Sequence, residues 1–210
     1  MIRHVLTLLA AASLLATAGA ADDKSDGWIS LWDGKTFEGW KPSEHTESWK
    51  IEDGAIVCQG ERSHLFYVGE DKPFKNFELS VECMTTPGSN AGIYFHTKFQ
   101  EVGWPKYGQE VQVNVSQSDP KRSGSLYGVV SVGDPPLKDN EWYTTYVKVE
   151  GKHVLIKLND TVVVDYIEPN GAQPHSADFD RILGEGTFAL QAHDPGSKVY
   201  FRNLKVKRLP

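Results

Sequence analysis

The sequence predicts an all-β domain, an antiparallel sandwich or barrel, on three observations. Short apolar or alternating runs recur along the chain, bounded by turn signals about every 8–12 residues, the spacing of such folds. No stretch shows the 3.6-residue apolar period of an amphipathic helix, and no internal repeat is present. The clearest strand, Gly108-Gln109-Glu110-Val111-Gln112-Val113-Asn114-Val115, alternates strictly, with its valines on one face and Glu110, Gln112 and Asn114 on the other. At 210 residues the chain is the size of one domain with a full core.

Each strand has a local reason. Trp28 to Trp32 is a short run stopped by Asp33-Gly34. Phe37 to Trp40 and Trp49 to Ile51 follow, the second turning at Asp53-Gly54 into Ala55 to Cys58. Leu65 to Val68 ends at Gly69, and Phe77 to Cys83 alternates until Pro87-Gly88. Ala91 to Thr97 is the next strand. Beyond Val115, residues 116–125 form a polar loop, Leu126 to Val132 reads as a strand, and Gly133-Asp134-Pro135-Pro136 breaks the chain. Trp142 to Val149, Val154 to Leu158 and Val162 to Tyr166 form a meander with turns at Glu150-Gly151 and Asn159-Asp160. Residues 168–182 form a long loop, and Phe188 to Ala192 and Val199 to Val206 are the last strands. With no linker among them, residues 27–210 read as one domain behind a polar leader at 21–26.

Arg3, the apolar run Val5 to Ala16 and the small-residue site Ala18-Gly19-Ala20 have the form of a signal peptide over residues 1–20, cleaved after Ala20. The apolar run is too short to span a bilayer. The expectation is an exported protein, periplasmic or extracellular, without membrane insertion. Cleavage would remove one Arg and no acid from 22 basic and 28 acidic residues, leaving a net charge of −7. A negative, unclustered charge argues against nucleic acid or an anionic membrane as a partner. The two cysteines, Cys58 and Cys83, lie in strand-like runs beside apolar neighbours. A bridge between adjacent strands and a pair of buried free thiols both fit that placement.

The polar strand faces carry the chemistry. Same-face side chains sit roughly 7 Å apart along a strand, close to the spacing of hydroxyls on a sugar ring. Asn90, Tyr94 and His96 share a face with Gly92, and Gln191 and His193 share one with Ala189. Tyr200 and Arg202 share a third. Amides donate and accept together, as hydroxyls do, and Trp104, Tyr107 and Tyr127 provide apolar walls. This composition suits a carbohydrate ligand. An ordinary glycosidase needs two carboxyls, about 5–5.5 Å apart for retention or wider for inversion. The positions two and four residues beyond Glu110 hold Gln112 and Asn114, so a second acid would have to come from elsewhere, such as Asp194 or Asp178. A single acid with a nearby His suits proton abstraction or delivery better. There is no phosphate loop, nucleophile elbow or zinc His pair, so neither cofactor nor metal is expected. A structural Ca²⁺ near Asp178 and Asp180 has no loop signature behind it.

Ser30-Leu31-Trp32-Asp33-Gly34-Lys35, Trp49-Lys50-Ile51-Glu52-Asp53-Gly54, Asn90-Ala91-Gly92-Ile93 and Gly108-Gln109-Glu110-Val111-Gln112 resemble, in that order, the 3-keto-disaccharide hydrolase domain family. Ser123-Gly124-Ser125-Leu126-Tyr127, Glu141-Trp142, Leu190-Gln191-Ala192-His193 and Phe201-Arg202-Asn203-Leu204 extend the likeness along the chain. The family pattern has Asn-Ser-Gly where this chain has Asn90-Ala91-Gly92. The resemblance implies a jelly-roll sandwich of the concanavalin A-like lectin and glucanase type, with its site on the concave sheet. It also implies hydrolysis of glycosides whose sugar carries a ketone at carbon 3, by proton abstraction, elimination and hydration. The expected catalytic groups are Glu110 and His193, either serving as acid or base. The expected sugar-binding groups are Asn90, Tyr94, His96, Trp104, Gln112, Asn114, Tyr127, Gln191 and Arg202. The rival reading is a carbohydrate-binding module without catalysis, since lectins and glycosidases share this fold.

Overall fold

The computed structural model describes residues 26–210, so the signal peptide, its cleavage site and most of the leader lie outside the described residues. Two antiparallel sheets face each other across an apolar core. Among the described residues thirteen strands run in chain order. They are β1 (Trp28–Ser30), β2 (Trp40–Pro42), β3 (Trp49–Glu52), β4 (Ala55–Gln59), β5 (Ser63–Tyr67), β6 (Phe77–Thr85) and β7 (Ala91–Thr97). Then follow β8 (Gln109–Val113), β9 (Tyr143–Glu150), β10 (His153–Leu158), β11 (Thr161–Ile167), β12 (Thr187–Ala192) and β13 (Lys198–Arg208). Among the described residues no helix is long and apolar enough to cross a membrane.

One sheet has eight strands in the order β11-β10-β9-β6-β13-β4-β3, with β1 against the far end of β13. The other has five, in the order β2-β5-β12-β7-β8, and it carries the site. The period-two pattern sets which side chains enter the core: Val111, Val113, Ile93, Phe95, Leu190, Leu79 and Val81 are all buried there. Their in-between neighbours on the five-stranded sheet therefore rise from its outer face.

Three features correct or complete the sequence expectation, the cysteines by deciding between the two alternatives it left open. Leu126 to Val132 is a turn, because the Leu126 carbonyl accepts from both the Val129 and Val130 N–H groups. Residues 124–127 hydrogen-bond to the edge of β8, with Gln112 N–H donating to the Ser125 carbonyl and Tyr127 N–H to the Glu110 carbonyl. The cysteines are free thiols. Cys58 pairs with Val199 and Cys83 with Phe201, so β13 runs between them, and two strand spacings of about 4.8 Å exceed what a disulfide spans. Burial pushes both thiols up to about 12.

Third, β7 bulges. Three residue steps from Tyr94 to Thr97 pair with two from Ala189 to Thr187, and His96 takes up the extra residue at φ 56. The bulge turns His96 off the outer face and onto Phe77 and Phe95. Its Nε2–H donates to the Lys75 carbonyl and Nδ1 accepts from Gly184 N–H. Burial pushes its pKa down to about 4, and the ring serves as a neutral structural clamp.

Candidate active site

Cross-strand pairing assembles the floor of the site. Gln191 on β12 lies opposite both His64 on β5 and Gly92 on β7, and Gly92 lies opposite Gln112 on β8. One step along, Ala189, Tyr94 and Glu110 form a second row. Gly92 and Ala189 leave the room that the long side chains beside them occupy. A Cβ on Gly92 would stand 2.7 Å from Glu110 Oε1.

Glu110 is 4 % exposed and accepts from three donors. Its Oε2 accepts from the Tyr94 hydroxyl at 2.8 Å and from Arg181 Nη2 at 2.9 Å, and its Oε1 accepts from Gln191 Nε2 at 2.8 Å. Gln191 Nε2 also donates to the Tyr94 oxygen at 3.0 Å. Burial, and then the Glu110 charge, hold the Tyr94 phenol well above its ordinary range, so it stays a proton donor. Beside this array Gln112 Nε2 donates to Asn90 Oδ1 at 2.9 Å.

Arg181 comes from the long loop before β12. Its backbone sits at φ 49, a conformation that non-glycine residues rarely adopt, and its carbonyl accepts from Gln109 Nε2 at 2.7 Å. The guanidinium lies 5.3 Å from the Phe179 ring, 5.5 Å from Tyr94 and 5.8 Å from Tyr127.

His193 stands past the end of β12. Its Nδ1 lies 2.7 Å from Asp194 Oδ2, and Asp194 also accepts from Ser197 Oγ and from the Gly196 N–H. Burial works against the Asp194 charge, but the bonds from His193, Ser197 and Gly196 outweigh it and hold the carboxyl below its ordinary range. A carboxylate on Nδ1 orients the ring with that nitrogen as the N–H, which leaves Nε2 without a protein partner. The ring packs on Trp104, centroids 5.2 Å apart, and Trp104 in turn covers His64. His64 is fully buried with neither ring nitrogen partnered, and burial drives its pKa down to about 3.

These groups enclose a cavity of about 230 Å³ lined by Asn90, Tyr94, Trp104, Glu110, Gln112, Tyr127, Gln191 and His193, together with Asp119, His175, Phe179 and Arg181. Three expected sugar-binding residues stand elsewhere. His96 is turned away by the bulge. Asn114 is buried, its amide donating to the Asp119 and Lys121 carbonyls and its Oδ1 accepting from Gln117 N–H, so it ties down the loop after β8. Arg202 belongs to the other sheet, where it pairs with Glu82 at 2.7 Å and stacks on Trp142.

Arg181, His175 and Phe179 escaped the sequence reading because loop residues carry no periodicity. The length of the 168–182 loop was their one signal, since long loops in compact domains are often functional. Asp178 and Asp180 lie in the same loop, and among the described residues no three His, Cys, Asp or Glu side chains gather as a metal site.

The family profile described as the 3-keto-alpha-glucoside-1,2-lyase-like domain matches residues 27–207. The chain belongs to this family. A Bacteroides thetaiotaomicron protein named 3-keto-disaccharide hydrolase is 28 % identical, over 88 % of this chain and 79 % of its own length. A crystal structure of a candidate glycosyl hydrolase from Parabacteroides distasonis superposes with a TM-score of 0.75 at 25 % identity, covering 89 % of this chain and 96 % of that one. A carbohydrate-binding module from Bacillus subtilis has a TM-score of 0.56 at 15 % identity, over 80 % of this chain and 95 % of its own, a likeness of fold alone. Within the lyase-like family, then, this chain is a two-sheet sandwich whose cleft opens on the five-stranded sheet.

Proposed function

We propose that this protein cleaves glycosides whose sugar ring carries a ketone at carbon 3, with His193 as the base. Family membership and the hydrolase-named relative support a carbohydrate-active role. The observation that carries the finer reading is the division of labour in the cleft. His193 has Nδ1 tied to Asp194 and Nε2 free, whereas Glu110 already accepts from three donors. Asp119, the other acid lining the cleft, accepts the Lys121 N–H with Oδ1 in a local turn. This is an oriented imidazole beside a donor array, an arrangement suited to proton abstraction rather than to a pair of flanking carboxyls.

A ketone at carbon 3 acidifies the proton on carbon 2. His193 Nε2 removes that proton, the electron pair moves into an enolate, and the enolate then expels the aglycone oxygen from carbon 1. The aglycone leaves as the alcohol after taking up a proton. Water adds at carbon 1 of the unsaturated ketone, and a proton returns to carbon 2. Elimination followed by hydration covers both the lyase in the family's name and the hydrolase in the relative's.

The test is to incubate the purified protein in D₂O with a 3-keto glycoside and, separately, with its unoxidised parent. Aglycone release from the ketone alone, with deuterium at carbon 2 of the product, is expected. Binding of both sugars with no release would instead make the domain a carbohydrate-binding module.

A further inference from the structure

We propose that Arg181, held in place by Glu110, is the group that recognises the oxygen on carbon 3 and selects a ketone over a hydroxyl there. This deepens the reading of the cleft given above. The free hydrogen-bonding positions of the floor array carry it. The Tyr94 proton goes to Glu110, and both Gln191 amide protons go to Tyr94 and Glu110. Arg181 Nη2 likewise donates to Glu110. Two buried polar atoms of the array have no partner, Arg181 Nη1 and Gln191 Oε1. One is a cationic donor and the other an acceptor, and both belong to side chains that line the cavity and meet at one carboxylate.

A sugar with a hydroxyl at carbon 2 and a ketone at carbon 3 offers the complement on adjacent atoms. The 2-hydroxyl donates to Gln191 Oε1, and the oxo oxygen accepts from Arg181 Nη1. A hydroxyl at carbon 3 can also accept from Arg181 Nη1, but it brings a proton whose one unpartnered acceptor in the array, Gln191 Oε1, the 2-hydroxyl already uses. A ketone brings no such proton, so the site favours it. The same Nη1 gains strength as the oxo oxygen becomes an enolate, because the guanidinium is enclosed by three aromatic rings and shielded from water. Glu110 in this arrangement is a positioning residue that aims the fork.

Calorimetric binding of 1,5-anhydro-3-oxo-glucitol and 1,5-anhydroglucitol, which carry no aglycone to eliminate, tests the assignment without turnover. Wild type is expected to bind the ketone at least about tenfold more tightly, a difference of about 1.4 kcal/mol. Arg181→Lys keeps a cation for Glu110 but gives up the second nitrogen, and it should erase the preference. Equal binding of the two sugars by wild type, or a preference retained in Arg181→Lys, overturns the proposal. If Arg181→Lys does not fold, a ¹³C label at carbon 3 decides the matter in wild type. The bound carbonyl resonance should move downfield on polarisation, and an unmoved resonance overturns the proposal. Glu110→Asp should lower the ketone preference while leaving both limbs of the pH–rate profile in place. Loss of a limb would return Glu110 to proton transfer. An Arg181-dependent ketone preference without aglycone release would sink the elimination reading and leave this one standing.

Discussion

Arg181 Nη2 lies 2.9 Å from Glu110 Oε2, with both side chains only 5 % exposed. An ion pair taken this far out of water contributes little over an apolar pair of the same shape, yet losing one partner strands the other charge. Strand phase alone suggests a carboxylate that could be changed without harm to the fold, and this pairing says otherwise.

Glu110→Gln should therefore destabilise the protein by about 3–5 kcal/mol, because Arg181 keeps its charge in a buried site. The double variant Glu110→Gln/Arg181→Gln should recover a substantial part of that loss. Urea midpoints for the wild type, both single variants and the double variant give the coupling directly, and additive losses would show that the pair does not act as a unit.

His193 is partly exposed and its ring bonds only to Asp194, so His193→Asn should leave the urea midpoint nearly unchanged. Turnover of a 3-keto glycoside should fall roughly 10²–10⁴-fold. Asp194→Asn should lower turnover as well, since an amide oxygen orients the ring less firmly. Full activity in His193→Asn would remove it as the base.

Gly92 has no left-handed backbone to explain it; its reason is the carboxylate standing over it. Gly92→Ala should push Glu110 off its three donors and impair ligand binding, although Ala suits a strand better than Gly does. Measured sugar affinity that matches wild type would show that the floor tolerates a methyl group there.

Stability should also fall with acidity through two buried rings. Burial drives His64 to about 3 and His96 to about 4, below the ordinary value of 6.5. In that range the unfolded chain binds protons that the folded chain refuses. Their contribution is complete above about pH 6.5 and is lost as pH falls toward 4 and then 3. His96→Asn keeps a residue tolerant of the left-handed backbone, and it should flatten the slope of the urea midpoint between pH 6 and about 4. An unchanged slope would mean that His96 charges freely in the folded protein.

The alternation of Val111 and Val113 with Glu110 and Gln112 determined by itself which side chains enter the core and which rise from the sheet. Only one strand phase buries the valines, and a slip of one residue would reverse every side chain. The same logic made Tyr94, Gln191 and Asn90 legible as cleft residues before any coordinates. It could not place Arg202, because alternation says which face a residue occupies and not which sheet its strand joins. It misplaced His96, because one extra residue in β7 shifts the phase without disturbing local composition. It passed over Arg181 altogether. A loop residue has no period, and what makes this guanidinium part of the site is a carboxylate 71 positions away in sequence, brought within 2.9 Å by the packing of the 168–182 loop over β8.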